Sequence, residues 1–310
     1  MKILIYLRDD GATTLQILVK ILSSRSYMSF ETLVSRIDTL PPLSDSAQQI
    51  LDLYANDDDD IDIRKLTRLI EKDTLMAANI LGMINDPKFG FNNKITSVGQ
   101  AITLFGTRIM KGFVLSIAMK ELIRPDMVPY GLSNEKFNDM GHLQSALLFQ
   151  WYMGIDMKRA HILVPLALIM ETGKVIFAQE MASSDYGHLF TEEIYYAKNM
   201  EEVEHKYSDT TSYFIGGILF DHWNFSKRYS SIMKSLDFDD ESGSVDQLDL
   251  DILDVIRTAI NIKGFLTKEN LESALALVQE LNLDEAAFMK AALRIKNAYE
   301  DSKRAKAAKI

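Results

Sequence analysis

Apolar residues recur along this chain at the three-and-four spacing of helix faces almost from end to end. Leu43, Ala47, Ile50, Leu51 and Tyr54 define one such face. Asp62 is placed to cap a second helix carrying Ile63, Leu66 and Ile70, and Asp73 a third carrying Ala77, Ile80, Leu81 and Ile84. A short acidic side chain at those positions accepts from the unpaired N–H groups of a first turn. Asn85-Asp86-Pro87 closes the third helix, because the residue before proline resists the α conformation. Ser97 with Gln100 forms a capping box ahead of Val98, Ala101, Ile102 and Phe105. Gly106 is expected to stop that helix in the left-handed conformation. Thr107 is expected to cap the next one, with Met110, Phe113, Val114 and Ile117 inward.

A break follows at 124–134, which holds Pro125, Pro129 and Gly131. Beyond it the pattern predicts a helix from Glu135 to Met153, with Phe137, Met140, Leu147, Leu148 and Trp151 on one stripe. Ala160 to Gln179 is apolar on most sides and is expected to form one central helix. Glu192 to Tyr207 and Ser212 to Trp223 are predicted as further helices. The acidic stretch Asp237 to Ser244 is the best linker candidate, and three helices are expected after it, near Leu248–Ile262, Lys268–Leu281 and Glu285–Asp301. The terminal KRAKAAK is expected to be a solvated, frayed helix end. Strand signal is confined to Lys2–Leu7. The predicted class is all-α.

Composition narrows the functional classes. The 310 residues carry a net charge of −10 and include no cysteine. Disulfides, thiolate metal sites and a cysteine nucleophile are excluded. The acidic balance disfavours a nucleic-acid partner unless basic residues such as Lys158, Arg159 and the tail converge. The longest wholly apolar run, Ile162 to Met170, falls well short of the ~20 residues needed to span a bilayer. The opening MKILIYL meets Arg8, Asp9 and Asp10 too soon for a signal peptide. These readings predict a cytoplasmic protein without a membrane partner. Asp57–Asp60 lacks the alternation, glycine and distal glutamate of a calcium loop, and is expected to be solvated. No phosphate-binding glycine loop and no nucleophile elbow is present. His161, His188, His205 and His222 lack metal-ligand spacing.

Several motifs in order resemble those of the HDOD family, the bacterial "HD-related output domain", from about Phe30 to Leu236. Leu40-Pro41-Pro42-Leu43 matches the family's opening Leu-Pro-Pro-Leu-Pro, with Ser44 in place of the last proline. Ile70-Glu71-Lys72-Asp73 matches an acid-lysine-aspartate-proline step, with Thr74 replacing proline, and the next helix runs to the expected Asn85. Ile95-Thr96-Ser97 and Ala101-Ile102-Thr103-Leu104-Phe105-Gly106 follow the family's next two motifs with one extra residue. The resemblance implies an HD-domain-like multi-helix bundle with additional C-terminal helices. It divides the chain into an N-terminal extension (1–29), the HDOD-like domain (30–237) and a C-terminal helical extension (246–310).

HDOD domains are related to HD phosphohydrolases, which hold metal with a histidine, a His-Asp dyad and a distant aspartate. The dyad segment there resembles Ala167-Leu168-Ile169-Met170-Glu171-Thr172-Gly173-Lys174 here. Met170 stands where the dyad histidine would be, Glu171 where the aspartate would be, and His142 near the first histidine. Thr211-Ser212 replaces a later Asp-His ahead of Gly216 and Trp223. A thioether does not hold a hard divalent ion, and a hydrolytic site needs several oxygen or nitrogen ligands. The expectation is therefore a module without metal, cofactor or catalytic residues. His142 is expected to be a buried histidine and Glu171 a capped or solvated glutamate at a helix end. By resemblance, the module binds a signalling protein or a small ligand through a relic pocket lined by His142, Met170, Glu171, Lys174 and Ser212. The alternative is a divergent nucleotide phosphohydrolase that keeps His142 and Glu171.

Overall fold

Side-chain caps open most of the helices. In the computed structural model, which describes residues 28–54, 61–89, 91, 93–123, 125–237 and 244–308, Ser29 accepts from the Thr32 N–H at the start of α1 (Phe30–Asp38). Ser44, the residue that departs from the family's proline, caps α2 (Asp45–Leu51). Asp62 caps α3 (Ile63–Lys72), and Asp73 caps α4 (Thr74–Ile84). Asn85 then ties the end of α4 to the following strand-like segment. Its Nδ2 donates to the Leu81 and Ile95 carbonyls, and its Oδ1 accepts from the Ile95 N–H, each at 2.8 Å. Ser97 caps α5 (Val98–Leu122), and the Gln100 side chain reaches back to the Thr96 N–H, one residue beyond the expected partner.

Gly106 interrupts the helical run as expected, but not in the left-handed helical conformation. It kinks α5 at φ 77°, ψ 165°, a conformation outside the left-handed helical region and closed to side-chain-bearing residues. The chain continues through Thr107 without a new cap. Just before the kink, Phe105 packs against Phe89, Phe91, Phe113 and Phe149, with ring centroids 4.9–5.9 Å apart.

The centre of the molecule is α6 (Asn134–Tyr152), α7 (Met157–Ile169) and α8 (Gly173–Ser183). The single helix expected from Ala160 to Gln179 is interrupted by a 3₁₀ turn at Met170–Thr172. Gly173, just after that turn, lies so close to the Ser212 carbonyl that a β-carbon there would overlap it. The helix expected from Glu192 to Tyr207 is two, α9 (Gly187–Tyr196) and α10 (Met200–Ser208). Asn199 caps the second by accepting from the Glu201 and Glu202 N–H groups. Next come α11 (Ser212–His222) and α12 (Lys227–Lys234). Trp223 Nε1 donates to the Pro41 carbonyl at 3.3 Å, joining the end of α11 to the proline pair at the start of the domain.

The C-terminal elements are α13 (Gln247–Ala259), the antiparallel strands β1 (Ile260–Asn261) and β2 (Gly264–Phe265), α14 (Lys268–Glu280) and α15 (Glu285–Ala307). The two short strands replace the last turn of the helix expected to reach Ile262. The strand expectation at Lys2–Leu7, the Asp57–Asp60 loop and most of the Asp237–Ser244 linker lie outside the described residues. These C-terminal elements pack on the bundle. Phe288 meets Trp151 at 5.0 Å between ring centroids, and Asp249, buried in α13, pairs with Arg159 of α7 and Arg228 of α12. The basic tail is helical through Ala307, and Lys306 pairs with Glu135 at 2.7 Å.

Two segments, Val98–Leu122 and Met157–Ser183, are long and apolar enough to cross a membrane. Their most apolar windows are 67% and 89% buried within the fold, as core helices are.

Candidate functional site

The 3₁₀ turn at Met170–Thr172 decides where the charges go. It turns Glu171 inward, and the close approach at Gly173 brings the first turn of α8 against the start of α11. Lys174 thereby enters a closed space between α8, α10 and α11 and is 1% exposed. Its Nζ lies 3.1 Å from Glu171 Oε2, 3.7 Å from Glu204 Oε1 and 2.9 Å from Ser212 Oγ, and 4.1 Å from the centre of the Tyr213 ring. Glu204 is fully buried on α10; its carboxylate also accepts from the Ser212 N–H at 2.6 Å and from the Tyr130 hydroxyl at 2.7 Å. Glu171 Oε1 accepts from Gln144 Nε2 at 2.8 Å and from the Tyr213 hydroxyl at 3.1 Å.

Electrostatics explains why this cluster holds together. Burial alone would lower the Lys174 pKa, but Glu171, Tyr213 and Glu204 hold it well above the usual lysine value. Burial raises the Glu204 pKa, opposed by Lys174, the Ser212 N–H and the Tyr130 hydroxyl. The expectation of a capped or solvated Glu171 is corrected: the residue is 4% exposed and belongs to a closed ion cluster.

The pocket residues named from the sequence divide into three places. Glu171, Lys174 and Ser212 come together in the cluster. Met170 is fully buried among apolar side chains. His142 stands on the other side of Glu171, half-buried in the wall of a small cavity that Lys120, Thr172 and Phe137 also line. The free space there is about 50 Å3, room for a few waters and too small for a nucleotide. Burial, with Lys120 and Lys88 nearby, pushes the His142 pKa well below the usual histidine value. Lys120 Nζ lies 3.3 Å from His142 Nε2, which a neutral imidazole accepts. Over the other face of the cluster opens a wider cleft, bounded by the α9–α10 connection, β1 and α14, with Lys174 and Tyr213 at its floor.

Gln144, Tyr130, Tyr213 and Glu204 are absent from the sequence-based pocket. Two of them left a signal. Gln144 sits in the stripe Met140, Leu147, Leu148, Trp151, and Glu204 falls in line with Met200 and Tyr207. A polar residue on a buried stripe needs an internal partner, and these two are each other's neighbours through Glu171 and Lys174. Tyr130 and Tyr213 carry no such mark. Gln144 makes a further bond, from Nε2 to the Ile260 carbonyl at 2.9 Å, which links the cluster to β1.

The arrangement is that of an HD-like helical bundle whose central charges are neutralised by a lysine. The match of the HDOD domain model to residues 40–236 covers well over half of the chain, and the chain belongs to the HDOD family. No curated protein matches it. Among solved structures, a Shewanella amazonensis protein assigned provisionally as a phosphohydrolase is similar in fold at 12% identity and a TM-score of 0.63, with 86% of this chain and 97% of that one aligned. A Marinobacter aquaeolei protein assigned provisionally to signal transduction aligns at 16% identity and a TM-score of 0.63, over 94% of this chain and 65% of that one. A Geobacter sulfurreducens HDOD protein of unknown function aligns at 13% identity and a TM-score of 0.55, over 93% and 99%.

Proposed function

We propose that this chain is a non-catalytic regulatory module of bacterial signal transduction, acting in the cytoplasm by binding a protein partner or a small ligand. The observation that carries this reading is the Lys174 ammonium held by Glu171, Glu204 and Ser212. A divalent metal does not fit these residues. Glu171 is engaged by Gln144, Tyr213 and Lys174, and a second cation beside the buried ammonium would meet strong repulsion. Met170 offers only a soft thioether, and His142, which shares a small cavity with Glu171, is engaged there by the Lys120 ammonium. Among the described residues no group of three or more histidine, aspartate and glutamate side chains is placed to hold a metal ion. One fold neighbour carries a signal-transduction assignment, in keeping with a role in regulation. The cleft above Lys174 and Tyr213 is the natural seat for a small ligand, and the net charge of −10 leaves nucleic acid an unfavoured partner.

Elemental analysis of protein purified without chelator tests this reading. It should show no stoichiometric iron, manganese or zinc, and the protein should hydrolyse neither nucleotides nor cyclic dinucleotides. One metal per chain, lost in His142→Ala or Glu171→Gln, would establish the phosphohydrolase instead.

A further inference from the structure

The small cavity beside Glu171 holds a lysine that no carboxylate pairs with among the described residues. Ser116, Met119, Lys120 and Ile123 recur at three-and-four spacing at the end of α5 and line this cavity together. Gly141 of α6 belongs to the opposite wall. A β-carbon there would stand 2.6 Å from the Leu168 carbonyl oxygen, so only glycine lets α6 lie this close to α7. Met119, Ile123, Phe137, Leu168 and Val175 make the lining largely apolar.

Lys120 Nζ meets His142 Nε2 at 3.3 Å. Asp139, the acid whose charge reaches Lys120, is bonded to Lys88 instead. The residue as a whole keeps contact with solvent, while protein crowds its amine end. Burial and repulsion by Lys88 lower its pKa to about 8, opposed by Asp139. A desolvated amine beside another cation is a nucleophile near neutral pH. His142 is kept unprotonated by burial and by the charges of Lys120 and Lys88. When Lys120 gives up its proton, one of those charges disappears, so the imidazole becomes a better acceptor for it.

We propose that the Lys120 amine captures a short uncharged aldehyde as an imine, with His142 carrying the proton exchanged. The Lys120 ammonium first passes a proton to His142. The Nζ lone pair attacks the carbonyl carbon, and the C=O π pair moves to oxygen. A proton then moves from Nζ to that oxygen through His142, giving a carbinolamine. The hydroxyl leaves as water on a proton from His142, the nitrogen lone pair closes the C=N bond, and the last Nζ proton returns to the imidazole. One aldehyde enters and one water leaves, with no oxidant or reductant. The free space of about 50 Å3 equals roughly three or four waters, and the aldehyde is limited to about that many heavy atoms. Carbon dioxide would leave a carbamate anion among apolar side chains, whereas the imine adds no charge. Glu171 stands between this cavity and the cleft above Lys174, so the two sites are tested separately.

Reductive trapping on the full chain tests the capture. The protein is treated with propanal and cyanoborohydride at pH 7, and peptide mass spectrometry follows each lysine. A pKa of about 8 leaves roughly two hundredfold more neutral amine at that pH than an ordinary lysine has. Weaker basicity offsets part of this, so Lys120 is expected to label about tenfold faster than Lys268, whose side chain is 90% exposed. The preference should vanish with benzaldehyde, which exceeds the cavity, and fall severalfold in His142→Asn. Lys120→Arg keeps the charge on a side chain in contact with solvent, so its fold is secure, and the fast reaction should be lost from the whole chain. Labelling of Lys120 no faster than Lys268 overturns the proposal. So does an equal preference with benzaldehyde, an unchanged rate in His142→Asn, or a fast reaction that survives Lys120→Arg.

Discussion

The molecule holds two concentrations of charge that differ in one respect. Around Lys174 the signs alternate: one ammonium, two carboxylates, two tyrosine hydroxyls and an amide, all buried and bonded to one another. Around Asp249 the arrangement is inverted: one buried carboxylate is held by Arg159 of α7 and by Arg228 of α12, whose side chain is half exposed. A buried charge is tolerated only when its partner is built in. Both clusters complete themselves from within the chain, but the first seals its cation among buried groups while the second leaves its cations partly in solvent.

The difference can be broken most severely at Lys174. Lys174→Met leaves Glu171 and Glu204 buried without their cation, and the denaturant midpoint should fall by the equivalent of about 3–5 kcal/mol. An equal change at the second cluster, Arg228→Gln, should cost far less stability, because that side chain is half exposed and Arg159 still holds Asp249; a comparable loss there would erase the distinction. Asn85→Ala, which removes the side-chain partner of the Ile95 carbonyl and N–H, should cost about 1–3 kcal/mol. A thermal midpoint unchanged within error would show that this corner contributes nothing.

His142 gives a pH-dependent effect. Its folded pKa lies well below the usual value, so as pH falls below ~6.5 the unfolded chain takes up a proton that the folded chain refuses. Stability should decline in that range, and His142→Asn should flatten this part of the profile when urea midpoints are compared between pH 7 and pH 5. An identical slope in the two proteins would show that His142 is protonated as readily in the fold. The smallest effect is expected at the tail. Lys306→Ala removes an exposed ion pair with Glu135 and should change stability by less than about 0.5 kcal/mol.

Most helices were legible because their caps are local chemistry. Asp62, Asp73 and Ser97 act within three residues of themselves, and Asn85 within ten, so the sequence carries their full context. The site was legible only in outline. The run from Ile162 to Met170 is apolar throughout, and nothing in it marks the 3₁₀ turn that redirects Glu171, because that turn depends on α8 meeting α11 at Gly173. The partners of Glu171 and Lys174 lie 27 to 42 residues away. The family resemblance named Glu171, Lys174 and Ser212, and the polar interruptions at Gln144 and Glu204 were the signal that could have found two more members. The short strands after Ala259 were hidden for a similar reason: Gln144 holds the Ile260 carbonyl, and helix periodicity cannot register a distant side chain that claims a backbone group.

The claim that Lys174 is the built-in counter-ion of the buried carboxylates Glu171 and Glu204 is tested most directly by charge rescue. Equilibrium urea unfolding should be measured for Lys174→Met and for the same change combined with Glu171→Gln and Glu204→Gln. The account predicts that the combined variant recovers a substantial part of the stability lost in Lys174→Met, because the buried carboxylates that lacked a cation are gone. A combined variant no more stable than Lys174→Met, with losses that simply add, would contradict it.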